Sequence, residues 1–404
     1  MSPLSHPDRP RVLAELHARP FTPVATPYRV LHFAFQVTAD AAERDRAHIE
    51  HLADGGARPS GWLEDKRHLS LNDGQLRWER HGEFISYTLC VPFDAPPAWP
   101  DHLTPPGVLL VAVDLRLVSE DLRPSVMVHA SIVDGRALVT TDFSPNLKGF
   151  VEIIIINQGM SEDVAGATVQ RVLEIETYRC FALLGLPIAE KATRTMGLIE
   201  HELPTLMEKM DAASTLEDNR ELLDRITSMT LELERSSALT HFRFGATKAY
   251  AELVRLRLEA LSERTDQGGP GLASFFSRRF DPAIRTCVTA SEREANLAKK
   301  LTRAAQLLRT RVEITLESQN CDLLEKMSNR VQLQLRLQQT VEGLSVAAIA
   351  YYVASLFHLL VSGLRSVKHA IDPELLTALA VPLIVAAVAF AIRRIRCRHE
   401  DSAR

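Results

Sequence analysis

The sequence predicts an α+β (or α/β) domain at the N-terminus, a helical middle with a long stalk helix, and a C-terminal two-helix transmembrane hairpin. Three observations predict this fold class. Residues 1–160 are rich in strand patterns separated by turns with proline and glycine. Residues 161–343 show helical periodicity almost throughout. Two long apolar segments follow, at 344–362 and 373–392, and each is long enough to cross a bilayer.

The strand region begins at Tyr28–Thr38, where β-branched and aromatic side chains come in near alternation. Apolar runs such as Ile153–Ile156 are typical of strands that are covered on both faces. Helices fit between the strands, for example at Ala39–Ala53. We therefore expect residues 1–160 to form a domain around a mostly buried sheet.

The helical region at 161–282 begins with Ser161, a candidate N-cap that two acidic residues follow. Helix breaks are expected at Gly185-Leu186-Pro187 and at Asp266–Gly271, because glycine and proline interrupt helices there. The pattern predicts several helices that pack against each other or against a neighbouring subunit. The alternative is that their charged faces are simply solvated.

A single long helix is predicted at 283–343, because no proline or glycine interrupts Ala283–Glu342. At 1.5 Å per residue such a stalk would extend for roughly 90 Å. Its apolar residues recur at spacings near three and four, which is typical of a coiled-coil-like helix. This stripe must be buried, either by the domain's own helices or by copies of the chain. The continuous entry of the helix into a membrane span favours a homo-oligomer. The stripe consists of Leu297, Leu301, Ala304, Leu308, Val312, Leu316, Leu323, Met327, Val331 and Leu335.

The two apolar segments predict a membrane anchor. The segment 344–362 contains no charged residue, and 373–392 contains only Glu374, near its start. The alternative is a helical hairpin buried in a soluble core. The basic tail at 393–404 carries four arginines in its first six residues, so the positive-inside rule places the C-terminus in the cytoplasm. The first residues contain no apolar stretch that would act as a signal peptide, so the N-terminal domain is also expected in the cytoplasm.

Composition excludes some classes of function. The net charge is −4 over 404 residues, and this balance does not indicate the basic face that nucleic-acid binding favours. No nucleic-acid partner is therefore expected. The five cysteines form no CxxC pair, and the phosphate-loop, dinucleotide, serine-elbow and zinc-protease motifs do not occur. We therefore expect neither an enzyme nor a cofactor. His48 and His51 lie on one face of a predicted helix, where they are either metal ligands or ordinary surface histidines.

Polar residues follow one face of the first predicted span, at Tyr351, Ser355, His358 and Ser362. Polar side chains inside membranes usually face the bundle interior or an aqueous path. The pattern predicts either a pore lining, with an inorganic ion as the candidate ligand, or an interface between packed helices.

The stretch ELHARPF, from Glu15 to Phe21, also gathers reactive residue types, including His17 and Arg19. In context it is interpreted as the end of a short helix. Glu15 and Arg19 are four residues apart and can form an ion pair, and Pro20 ends the helix. A catalytic interpretation lacks a nucleophile.

Two stretches, ELHARPFTPVATPYRVLHFAF and LRLQQTVEGLSVAAIAYYVASLFHLL, resemble the bacterial domain-of-unknown-function 3422 family of membrane-anchored proteins. The resemblance implies the inner membrane of a bacterium and makes Glu15, His17, Arg19 and Pro20 a family signature with a structural role. The overall layout is similar to that of CorA-type magnesium transporters, which are pentamers with a Gly-Met-Asn motif after the first span. The corresponding place here reads Ser362-Gly363-Leu364-Arg365, so an altered selectivity would be implied.

Overall fold

The structure, a computed structural model, describes residues 6, 9, 21–54, 58–63, 66–71, 74–119, 128–264, 271–365 and 373–401. The chain divides into two compact units. The first unit consists of Met1–Ala213 with Glu221–Leu307, and the second of Ser214–Arg220 with Leu308–Arg404.

Nine strands of the first unit form one mixed sheet. The strands are β1 (Tyr28–Gln36), β2 (Arg58–Leu63), β3 (Lys66–Leu71), β4 (Gly74–Arg80), β5 (Phe84–Cys90), β6 (Val108–Val118), β7 (Val128–Ile132), β8 (Ala137–Pro145) and β9 (Val151–Asn157). Their order across the sheet is β2-β3-β4-β5-β1-β6-β9-β8-β7. The pair β6–β9 is parallel, and the other described pairs are antiparallel. The predicted α+β class is therefore confirmed.

Six helices are described. They are α1 (Ala39–Asp54), α2 (Glu162–Leu183), α3 (Gly185–Ala212), α4 (Leu216–Ala260), α5 (Leu272–Arg365) and α6 (Pro373–Asp401). The helix expected at Ala39–Ala53 is present, and α2 begins directly after Ser161 although the serine side chain makes no capping hydrogen bond. The long helix begins earlier than the predicted stalk and continues through Pro282. Pro282 is the eleventh residue of α5, so it lies beyond the first turn and removes the backbone hydrogen bond to the Arg278 carbonyl.

The sheet buries both faces, which agrees with the apolar runs in its strands. Side chains alternate between the faces along each strand. On one face, Phe33, Trp78 and Tyr87 form a core with Ile49 of α1. On the other face, Val30, Phe84 and the apolar residues of β6 and β9 pack against α2 and the first turns of α5.

Buried polar residues on both sides of the sheet are paired. Trp78 and Tyr87 donate hydrogen bonds of 2.8 Å and 2.6 Å to the two carboxylate oxygens of Asp45 on α1. Burial raises the pKa of Asp45, and these two donors oppose the shift. On the opposite side, Glu83 and Arg243 of α4 form a buried ion pair. These contacts fix the helices to the sheet and so shape the space between them.

Candidate functional site

Polar side chains are concentrated on the sheet face that points toward α2. Strand pairing places His32 beside Thr88, and Thr88 beside Arg77, in one row across β1, β5 and β4. The neighbouring row on β5 and β4 contains Ser86 and Glu79. These residues share a face because each strand contributes every second side chain to it.

A cavity of about 150 Å³ lies between this sheet face and α2. Its walls include Val30 and Phe84 from the sheet and Val169 and Leu173 from α2. Polar groups from β1, β4, β5 and α2 interrupt these apolar walls. Polar side chains are as prominent in the lining as apolar ones. A concave site where polar groups converge beside apolar walls is a candidate small-molecule site.

His32 connects the sheet to α2 at the base of the cavity. Its Nδ1 lies 2.8 Å from the Thr88 hydroxyl oxygen, and its Nε2 lies 2.9 Å from the Thr177 hydroxyl oxygen. The Thr177 hydroxyl donates its proton to the Leu173 carbonyl, so Nε2–H of His32 must be the donor toward Thr177. The neutral ring then accepts from Thr88 at Nδ1. Burial lowers the pKa of His32 to about 4, so the imidazole is uncharged at neutral pH.

A chain of charged and amide groups lies along another side of the cavity. Arg77 donates to Glu79 at 2.9 Å and to the Gln170 amide oxygen at 2.7 Å. Gln170 donates to Glu174 at 2.8 Å, and Glu174 also accepts from Arg257 of α4. Both carboxylates are thus paired with a guanidinium, while Nε of Arg77 is a buried donor with no partner among the described residues.

A phenol and a thiol close one end of the cavity. The Tyr28 hydroxyl and the Cys90 thiol form a hydrogen bond with each other. Burial raises the pKa of the Cys90 thiol, and burial also raises the pKa of Tyr28. Both groups therefore stay protonated at neutral pH, and a protonated thiol is a poor nucleophile.

The apolar stripe of α5 changes character along the helix. Leu301 and Leu308 are fully buried, each with 0% exposure. Farther along, Met327 is 62% exposed, and Val331 and Leu335 are also exposed. A helix face with exposed apolar residues at these spacings is normally covered by another helix.

Two helices are long and apolar enough to cross a membrane, within Leu272–Gly363 and at Leu376–Arg394. Their most apolar windows are 6% and 0% buried, unlike the core helix of a soluble protein. This exposure agrees with membrane association.

The four polar residues of the first apolar helix do not share one environment. His358 Nδ1 lies 3.0 Å from the hydroxyl oxygen of Thr377 on α6, so the imidazole joins the two helices. Ser355 is half-buried, whereas Tyr351 and Ser362 are exposed. The choice between a pore lining and a helix interface therefore stays a prediction.

The remaining sequence candidates lie apart from the cavity. The signature residues Glu15, His17, Arg19 and Pro20 fall outside the described residues. On α1, His48 is half-buried and His51 is exposed. Within the described part of the chain, no three metal-binding side chains gather at one point.

Comparison with known protein families places the chain. A family model described as "Protein of unknown function (DUF3422)" matches residues 4–399. The chain belongs to this family. The match covers the sheet domain, the long helix and both apolar helices. A search of curated proteins finds no match. The likeness in layout to CorA-type magnesium transporters stays a prediction, because the family description assigns no activity.

The cavity is the feature that sequence reasoning missed. One signal was available, since His32 interrupts the apolar run 30–35 of β1, and a polar residue in such a run needs a buried partner. The partner Thr177 lies 145 residues away on α2, and no local pattern connects the two positions.

Proposed function

We propose that this chain is a non-enzymatic membrane-anchored protein whose N-terminal domain faces the cytoplasm and that assembles as a homo-oligomeric scaffold. The exposed apolar face of α5 carries the proposal. This face contains Leu323, Met327, Val331 and Leu335 and lies on the same helix as the first candidate span.

A second copy of the chain is the partner that best fits this face. Every copy anchored through the same span enters the membrane in the same direction, so the α5 helices of neighbouring copies are parallel and at the same height. Equivalent apolar residues then meet, as they do in parallel coiled coils. Pairing removes several large apolar side chains from water. Full burial of each stabilises the assembly by roughly 1.5–3 kcal/mol.

The orientation in the membrane rests on charge. Arg393 and Arg394 directly follow the apolar segment 373–392, and two more arginines occur within the next four residues. Cytoplasmic flanks of membrane helices are enriched in arginine and lysine. With two spans, the N-terminal domain and the C-terminus lie on the same side of a bacterial inner membrane.

The absence of catalysis is proposed from the state of the reactive groups in the cavity. His32 has both ring nitrogens engaged, and its pKa is far below the range in which a general base works best at neutral pH. The Cys90 thiol stays protonated, because burial raises its pKa. These residues support a binding site better than a catalytic one.

Ion conduction in the manner of CorA-type transporters is the second candidate. The exposure of Tyr351 and Ser362 supports it, because polar side chains on an open helix face can line a path between copies. The hydrogen bond between His358 and Thr377 favours anchoring instead, since it uses the imidazole for helix packing.

The oligomeric state tests the scaffold proposal. We expect light scattering of the full chain in mild detergent to give one defined oligomer. Met327→Glu places a charge on the apolar face and should dissociate the oligomer. Asn329→Glu adds the same charge about 200° around the helix, given 3.6 residues per turn, and should leave the oligomer intact. A monomeric wild type, or equal effects of the two variants, would contradict the proposal.

Ion flux separates the two candidates. Wild-type protein in liposomes is compared with His358→Ala and Ser355→Leu under cation and anion gradients. The scaffold proposal expects no flux above that of empty liposomes. A flux that either substitution alters would establish conduction and displace the first candidate.

A further inference from the structure

The cavity between the sheet and α2 presents unsatisfied hydrogen-bonding groups. One of them is Nε of Arg77, a buried donor of a guanidinium whose positive charge is balanced by Glu79. Ser86 is 3% exposed and lines the cavity, yet its hydroxyl has no partner among the described residues. Gln75 also lines the cavity, and no described residue bonds its amide. Buried polar groups in proteins are normally paired, so an unpaired hydroxyl facing a cavity indicates a bound molecule or water.

The remaining polar groups add acceptors and a weak donor. Thr88 also lines the cavity, and its hydroxyl oxygen can still accept a hydrogen bond after giving its proton to His32. Tyr28 and Cys90 form a hydrogen bond with each other, and because this bond uses only one of their two protons, the pair keeps one donor. The cavity therefore offers both donors and acceptors to a ligand.

No uncompensated charge is available for a charged ligand. Arg77 is paired with Glu79, and Glu174 is paired with Arg257. A ligand ion would have to give up its hydration without gaining a free counter-charge, which is unfavourable in a partly apolar site. The neutral state of His32 removes the charge that would otherwise lie at the base.

The size and walls of the cavity limit the ligand further. A dry cavity of about 150 Å³ holds a ring the size of benzene, and this cavity has that volume. Val30 and Phe84 lie on the sheet side, and Val169 and Leu173 lie on the helix side. A flat ring can contact apolar side chains with both faces and still direct its edge toward Ser86 and Gln75.

We propose that this cavity binds a small uncharged heteroaromatic molecule of the nucleobase type. Its faces contact Val30 and Leu173, and its edge exchanges hydrogen bonds with Ser86 and Gln75. The site makes the membrane-anchored domain a small-molecule receptor, a role that does not depend on the oligomeric state.

The test uses the full chain in mild detergent and calorimetric titration. The probes are adenine, cytosine, uracil and nicotinamide, with benzoate and benzylamine as charged rings of similar size. We expect at least one heterocycle to bind with a Kd below about 1 mM and at least about tenfold more tightly than either charged ring. Ser86→Ala should weaken that binding about fivefold, as expected for the loss of one hydrogen bond. The double variant Ser86→Ala with Gln75→Ala should bind the heterocycle more weakly still.

Ser131→Ala, the same change on β7 outside the cavity, is the control and should leave the affinity unchanged. The melting temperature of each variant confirms folding, and Gln75→Ala alone serves as an exposed substitution if Ser86→Ala unfolds the domain. The proposal fails if no heterocycle binds, if a charged ring binds as tightly, or if Ser86→Ala and Gln75→Ala both leave the affinity unchanged.

Discussion

Nε2–H of His32 on β1 donates to the Thr177 hydroxyl on α2 across 2.9 Å. The same hydroxyl donates to the Leu173 carbonyl, which fixes the direction of both bonds. The sheet and the helix are thus joined by a neutral, fully satisfied imidazole. This geometry keeps the two elements apart on either side of the cavity and makes the domain sensitive to acid.

The stability of the domain should fall with pH in a window that His32 defines. Burial lowers its pKa from 6.5 to about 4 in the folded state. Above pH 6.5 neither state binds the proton, but below it the unfolded state binds the proton and the folded state does not. Stability is therefore lost as the pH falls, by about 2 kcal/mol at pH 5. Chemical denaturation of wild type and His32→Gln at pH 7.5 and 5 measures the effect, and an equal loss in both proteins would contradict the assignment.

Gly166 and Gly197 should respond to alanine in opposite directions. A Cβ at Gly166 would lie 1.9 Å from the Thr22 carbonyl oxygen, so the backbone would have to move. We expect Gly166→Ala to destabilise the protein by about 1–3 kcal/mol. A Cβ at Gly197 in α3 meets nothing within 4 Å, so Gly197→Ala should stabilise by about 0.5–1 kcal/mol. Denaturation midpoints test the pair, and shifts of the same sign would be the contrary result.

The buried ion pair between Glu83 and Arg243 should be costly to break from one side. Both side chains are buried, and one of their hydrogen bonds is 3.0 Å long. Arg243→Leu leaves a buried carboxylate without its counter-charge and should cost about 3–5 kcal/mol of unfolding free energy. The double variant with Glu83→Leu should recover most of that loss, because no charge is then buried. A double variant as unstable as the single one would show that packing, not charge, dominates here.

Cys321 should report the orientation of the long helix in the membrane. It is exposed on α5, whereas Cys287 on the same helix is buried and burial raises its pKa to about 11. In a Cys397→Ser background, a membrane-impermeant maleimide should label Cys321 in inside-out vesicles and leave it unlabelled in right-side-out vesicles. Cys321→Ser is the control that assigns the signal. Labelling in right-side-out vesicles would reverse the proposed topology.

Sequence patterns were enough for the classes of element. Alternating side chains predicted β1, a helical period predicted α1, and an uninterrupted apolar helix predicted the two candidate spans. These features are local, because strand and helix geometry repeat every two or nearly four residues. The start of α5 was less predictable, because the helix continues through Pro282 instead of beginning after it.

The pairing of elements depended on tertiary structure. The parallel contact between β6 and β9 joins segments that other strands separate in the chain. The contact of His358 with Thr377 also depended on tertiary structure. A polar face on one helix does not predict which residue of the next helix it contacts. The ion pair expected between Glu15 and Arg19 lies outside the described residues and stays a prediction.

By itself, the sequence determined the α+β domain, the long helix and the apolar character of its last quarter, because periodicity and hydropathy are properties of each local stretch of sequence. Only the tertiary structure decided that His32, Ser86 and Arg77 share one cavity with α2. The physical reason is that strand register and the packing of α2 bring together side chains from distant segments, and neither follows from any one segment.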